Sequence, residues 1–367
     1  MFLISITILF SCKKFDTSDN ALPSDILYAS RQDKGDIYKI EYINKEGQPT
    51  DILVFSSLNK FNEIKHNLER EENEQDSLFV SRFEGLSETA INEMDSVYNF
   101  DEYAVYKNFM KNLNFKGKLY DYITDEKNWL NNDMEEALDP DLKYYGLDIA
   151  DLAMVNSDFA FAIQNGKNIK IYKYFDDGMV CIEDGNIKTL NEISNYTSIS
   201  AFNLKDFPNL KKILDWLHQN LCLANVRRQK VYIFDGGTKK VKIVTKIKRY
   251  IFDVQSLKGK VKIKLYKKNG RKRWKKWRAR QLKVAVNGYG RLDQCTGTPF
   301  WFNYNRDCSI VRNKFKAKYK YVIAHWYTLN PSHTALYIKD EWLYGLGYVN
   351  GQLKIQTDFF DGSAQTY

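Results

Sequence analysis

Apolar residues recur with period two at the start of this chain, with helical spacing through its first half, and with period two again beyond residue 230. Ile37 to Ile43 and Asp51 to Phe55 predict strands joined by a turn at Lys45-Glu46-Gly47-Gln48-Pro49. Leu58, Phe61, Ile64 and Leu68 then fall on one helical stripe behind Ser56 and Ser57, either of which can cap the helix. Glu69 to Asp76 has no apolar position and reads as an exposed, charged link. Ile91, Met94 and Tyr98 form a second stripe starting from Ser87, and Tyr103, Tyr106, Phe109, Met110 and Leu113 a third. Asn165-Gly166 closes a helix or turns a hairpin. Asn168 to Phe175 alternates as a strand, and Asp176-Asp177-Gly178 turns it into Met179 to Ile182. Asp206-Phe207-Pro208 opens a predicted helix with Leu210, Ile213, Leu214, Leu217 and Leu221 on its inner face.

From Lys230 onward the chain reads as short strands: Val231 to Phe234, Val241 to Ile247, Lys260 to Tyr266, Gln281 to Val286, Tyr319 to Trp326, Thr334 to Ile338, Trp342 to Val349 and Gln352 to Thr357. Many short strands separated by Gly or Asn turns predict a sandwich or barrel. The expected fold is α+β, an N-terminal mixed α/β module followed by a C-terminal antiparallel β-sandwich-like domain. The divisions are 1–11, 12–35, 36–229 and 230–367.

The first two divisions come from the N-terminus. Phe2 to Phe10 is a mostly apolar run, shorter than the roughly 20 residues that span a bilayer. It ends in Leu9-Phe10-Ser11-Cys12, which resembles the lipobox of bacterial lipoproteins. That resemblance implies a signal peptide over 1–11, acylation of Cys12 and a cell-envelope location. Lys13-Lys14-Phe15-Asp16-Thr17-Ser18-Asp19-Asn20 is similar to the charged stretch after the lipid cysteine in many Bacteroidetes lipoproteins, which implies an outer-membrane lipoprotein displayed on the outer face. Phe10 is bulkier than the usual residue at its place, and no Lys or Arg precedes the run, so the true start is expected further upstream. The alternative is a buried first strand ending in an ordinary Cys. Residues 12–35 are polar and aperiodic, as a flexible tether is.

At 367 residues, with 44% hydrophobic and 28% charged positions, the composition is that of a folded protein of two or three domains. Aromatic residues reach 15%, as in a Tyr-rich β core or a carbohydrate- or protein-binding face. The net charge of +9 hides an asymmetry. Lys239 to Arg280 holds 19 Lys or Arg against one acid, Asp253, so that this segment carries +18 and the rest of the chain −9. Such asymmetry points to parts that face different partners.

The segments DILVFSSLNKFNEIKHNL, SLFVSRFEGL and FAIQNGKNIKIYKYF resemble the N-terminal module of a group of Bacteroidetes outer-membrane lipoproteins. YKKNGRKRWKKWRA resembles the basic hairpin in the C-terminal β part of some of them. What the resemblance implies is fold and location; it brings no catalytic residue.

That basic hairpin is the distinctive candidate. Lys260, Lys262 and Lys264 alternate with Val261, Ile263 and Leu265, so the lysines share one face. Asn269-Gly270 is a two-residue turn signal. The return strand carries Arg271, Lys272, Arg273, Lys275, Lys276, Arg278 and Arg280 around Trp274 and Trp277. Two readings stand: a polyanion-binding face with aromatic stacking positions, or a solvated face whose charge prevents edge pairing. The expected partners are the membrane, through the lipid, and acidic polysaccharide or lipopolysaccharide, with nucleic acid the weaker candidate.

The remaining chemistry is sparse. Cys295 and Cys308 flank a Gly- and aromatic-rich loop and are expected to pair, which would stabilise by about 3 kcal/mol. His218 and Cys222 lie four apart on the helix predicted from Phe207, a spacing open to a metal or a Cys/His dyad but better read as packing. His325 and His333 flank a turn, and nothing in the sequence calls for a metal between them. Asp139-Pro140-Asp141 lacks the alternation of a calcium loop and reads as a capped turn. No CxxC, nucleophile elbow or phosphate loop occurs, so no metal, cofactor or catalytic residue is expected. A non-enzymatic binding or structural module is the first reading; an envelope or glycan-processing enzyme without a recognisable motif is the alternative.

Overall fold

The computed structural model describes residues 35–83, 85–132, 139–145, 147–176, 178–212, 225–250, 256–269, 273–279, 282–294, 299–304, 310–312, 319–328, 336–349 and 353–356. Cys12, His218, Cys222, Arg271, Lys272, Arg280, Cys295, Cys308 and His333 lie outside them.

The chain opens with strands β1 (Ile37–Ile43) and β2 (Pro49–Phe55), which pair antiparallel as their alternation predicts. Helix α1 (Leu58–Ser81) follows, its first turn capped by Ser57, whose hydroxyl accepts from the Lys60 amide at 3.1 Å. Helix α2 (Glu88–Val97) is capped in the same way by Ser87. Then come α3 (Ala104–Asn112), α4 (Leu119–Asn131), the single turn α5 (Pro140–Lys143) and α6 (Ile149–Met154). Strands β3 (Ala160–Asn165), β4 (Asn168–Phe175) and β5 (Gly178–Ile182), helix α7 (Ile187–Ile193) and strand β6 (Leu210–Lys212) complete the first sheet.

That sheet is mixed, in the order β1-β2-β3-β4-β5-β6. All its pairings are antiparallel except β2 with β3, where Val54 and Phe55 meet Ala162 and Ile163 in parallel. The helices α1 to α6 form the crossover that a parallel pair requires. Both faces of the sheet are buried. Leu53, Phe55, Phe161 and Ile163 pack under α1, α3, α4 and α6. Ile52, Val54, Ala162 and Ile171 pack against Ile187, Leu190 and Ile193 of α7 on the other face.

Two sequence expectations change here. Glu69 to Asp76 is not a link but the middle of α1. Glu, Gln and Arg extend a helix readily, here with Asp76 on its buried side served by an ion pair instead of apolar contacts. The helix predicted from Phe207 is also absent at its start: Leu210 to Lys212 extend as β6 and pair with β5, Leu210 opposite Ile182. The sheet edge offers that backbone a ladder which the local pattern did not reveal.

The second sheet takes β7 (Asn225–Phe234), β8 (Lys239–Tyr250), β9 (Ser256–Asn269) and β10 (Arg273–Lys276) in the order β10-β9-β8-β7. The third takes β11 (Leu282–Gln294), β12 (Pro299–Tyr304), β13 (Ile310–Arg312), β15 (Leu336–Val349) and β16 (Leu353–Gln356), while β14 (Tyr319–Thr328) pairs with β9 of the second. The fold is mixed α+β, with antiparallel pairing throughout its C-terminal part. Leu336 to Ile338 and Trp342 to Val349, predicted in two separate strands, lie in one long strand, β15.

Candidate functional site

The basic segment folds as the predicted hairpin, but its paired ends are Asn269 and Arg273, so three residues rather than two separate them. Alternation along β8, β9 and β10 places Lys242, Lys264 and Lys276 on one face, together with Tyr266 and Trp274. This face does not meet solvent. It lies against the helical layer, and each ammonium finds three acceptors there.

Lys242 is fully buried and reaches Asp139 at 2.7 and 2.9 Å and Asp141 at 2.6 Å. Lys264 donates to Asp141 at 2.9 Å and to the Tyr122 hydroxyl at 3.1 Å, with Glu126 at 3.8 Å. Lys276 reaches Glu102 at 2.8 Å, Glu126 at 2.7 Å and the Tyr103 hydroxyl at 2.7 Å. Tyr103 in turn donates to Glu126. Just past β10, Arg278 has no exposure at all. Its guanidinium bonds Asp76 at 2.6 Å and Asp95 at 3.0 Å and lies over the rings of Phe79 and Phe100. Asn92 clamps the same residue's backbone, accepting from its amide at 2.8 Å and donating to its carbonyl at 2.9 Å.

Burial alone would lower the Lys276 ammonium, but the facing carboxylates of Glu102 and Glu126 outweigh it and raise it above the usual lysine range. Burial raises the Tyr103, Tyr122 and Tyr266 hydroxyls well above theirs, and the nearby carboxylates push the same way. All three phenols are therefore neutral at any ordinary pH. Among the described residues the buried Tyr266 hydroxyl has no hydrogen-bond partner.

The aromatic stacking positions are also used internally. Trp274 packs with Trp129 and Tyr266, and Trp277, 1% exposed, lies beneath Lys239 at 4.8 Å. Neither indole faces solvent. So within the proposed polyanion face, Lys264, Lys276, Arg278, Trp274 and Trp277 are covered. The reason is that the helical layer these strands pack against presents Asp76, Asp95, Glu102, Glu126, Asp139 and Asp141 to them.

No family model matches this chain. No curated protein matches it either. Among solved structures, a DUF4848 family protein from Bacteroides thetaiotaomicron is similar over 88% of this chain and 100% of that one, with 10% identity and a TM-score of 0.18.

What remains of the basic face is the outer end of the hairpin. Arg273 is exposed, and Lys267, Lys268 and Lys275 are half-buried. Lys268 lies over the Trp274 ring at 5.6 Å, and Lys275 reaches the Ser96 hydroxyl at 3.4 Å. Among the described residues none of these four reaches a carboxylate. Lys262 is half-buried and faces Glu72. Lys260 sits on β9 opposite Lys246. Cys181 is a buried free thiol on β5, and His325 lies on β14. Among the described residues no group of three or more His, Cys, Asp or Glu is placed to hold a metal ion, and no helix is long and apolar enough to cross a membrane.

Proposed function

We propose that this chain is a lipid-anchored cell-envelope protein, acylated at Cys12 and held at the outer membrane by a tether over 12–35. On this reading it is a non-enzymatic binding or structural module that contacts acidic envelope polymers through the tip of its basic hairpin. The anchor is supported by the apolar run ending in Leu9-Phe10-Ser11-Cys12. A division into an α+β unit up to about residue 229 and a β unit beyond is supported by the first sheet ending at Lys212 and the second starting at Asn225. A sandwich-like C-terminal unit is supported by β11 and β15 of the third sheet lying close to β8 and β9 of the second.

One observation supports the binding site: the inner cations Lys264, Lys276 and Arg278 of the hairpin each hold carboxylates of this chain, whereas among the described residues Lys267, Lys268, Arg273 and Lys275 hold none. Unneutralised cations near a strand end attract acidic polysaccharide or lipopolysaccharide phosphate mostly by counterion release, so binding weakens steeply with salt. The test is heparin retention of the full chain across a salt series, against a variant carrying Lys267→Glu, Arg273→Glu and Lys275→Glu. The variant should elute at markedly lower salt. Equal elution removes the proposed site, and preference for DNA over polysaccharide reassigns the ligand. For the anchor, intact mass of membrane-extracted protein, expressed from a gene that includes the full n-region, should show an acylated Cys12 as the first residue; a soluble product retaining Met1 refutes it.

A further inference from the structure

The cations at the hairpin tip are ordered by the ladder that carries them. Register sets Lys239 of β8 opposite Lys267 of β9, and Lys267 opposite Lys275 of β10. Residues directly opposite each other share a face, so three lysines stand abreast on three successive strands. Neighbouring strands lie about 4.8 Å apart, which holds the row within about 10 Å. Arg273, two residues from Lys275 on β10, is on the same face one row further out. One row inward, Val241 pairs with Leu265, and the Trp277 amide donates to the Leu265 carbonyl. All three of those side chains are buried, and the Lys239 ammonium lies over the Trp277 ring at 4.8 Å. Like charges directly opposite each other destabilise a sheet, and this row sets two such pairs side by side. Lys239 reaches Asp235 at 3.2 Å, but the Asp235 side chain is 57% exposed, and an exposed pair of this kind is weak. Among the described residues Lys267 and Lys275 reach no carboxylate.

We infer that Lys239, Lys267 and Lys275 form a seat for one terminal phosphate group. The inference rests on the reading of the basic tip as a binding site, and narrows its ligand from diffuse negative charge to a single group. A phosphate monoester carries close to two negative charges and three free oxygens, one for each ammonium, so one group relieves both like-charge pairs at once. A carboxylate has two oxygens and a single charge and leaves one lysine unserved. Lys268 falls on the opposite face of β9, over the Trp274 ring at 5.6 Å, and takes no part.

The test is calorimetric titration of the full chain with inorganic phosphate near neutral pH, with ionic strength held constant by chloride. Binding should saturate at a single site. Lys239→Met, Lys267→Met and Lys275→Met keep the apolar stem, and each should weaken binding about tenfold. Each also removes a like-charge pair, so none should lower the melting temperature in the absence of phosphate. Lys268→Met should leave the affinity nearly unchanged, and Asp235→Asn, which removes a competing carboxylate, should tighten it. No saturable binding by the parent, or an equal loss in Lys268→Met, overturns the seat. Glucose 6-phosphate and phosphatidylcholine vesicles containing phosphatidic acid present the same group on a soluble sugar and on a lipid headgroup. Tighter binding of one assigns the source, and binding of neither overturns the proposal. Heparin retention separates this inference from the reading beneath it: a parent still retained at low salt but without a saturable phosphate site loses the seat alone, whereas loss of both removes the basic tip as a binding site.

Discussion

At Arg278 the guanidinium is out of water, with Asp76 on one nitrogen and Asp95 on another. Removing it takes a buried cation away from both carboxylates. Arg278→Ala should therefore cost about 3–5 kcal/mol in chemical denaturation. Arg273→Ala, five residues earlier at an exposed position, should stay within about 0.5 kcal/mol. Tyr266 gives the opposite case. Among the described residues its buried hydroxyl has no partner, so Tyr266→Phe should leave the melting temperature unchanged or raise it, since nothing is bonded that the phenyl ring would lose. The sequence shows Lys264, Arg273 and Arg278 as members of one basic run. What separates them is the position of six carboxylates more than a hundred residues away, and no local pattern carries that.

The same cause governs which elements were legible. Strands β1 and β4 follow their alternation to the residue, and the Ser57 and Ser87 caps stand where the sequence places them. Helix α1 is misread where its inward face turns acidic, and α4 goes unread although Leu119, Tyr122 and Trp129 keep helical spacing, because buried Glu126 interrupts the apolar stripe. Apolar periodicity detects helices that pack on hydrocarbon; these two pack partly on ammonium groups. The caps and close approaches can be checked element by element. Ser57→Ala should destabilise by about 1 kcal/mol. Gly117, before α4, has the Ala153 carbonyl and the Met110 sulfur 2.8 Å from where a Cβ would sit. Gly117→Ala should then cost about 1–3 kcal/mol through overpacking against backbone; a thermal melt at unchanged pH measures both.

For the whole molecule, charge sorts itself into an interior and a surface population. The pairs made by Lys242, Lys264, Lys276 and Arg278 have little contact with solvent, and mobile ions screen them weakly. Raising salt should thus release polyanions from the hairpin tip while moving the urea midpoint little. A midpoint that falls in step with the loss of polyanion binding would show that the clasp between helices and strands is wetter than this geometry has it.

All six carboxylates of that clasp, from Asp76 to Asp141, lie in the crossover between β2 and β3, and all four cations lie at or beyond Lys242. A ribosome makes the acids first. During the time it takes to add the next hundred residues, the emerging chain carries these six acids without the strands that pair with them, and the first sheet can pair through Lys212 before any of the clasp's four cations exists. Synthesis thereby gives the basic strands a preformed template, already folded and oppositely charged, on which to lay down their register.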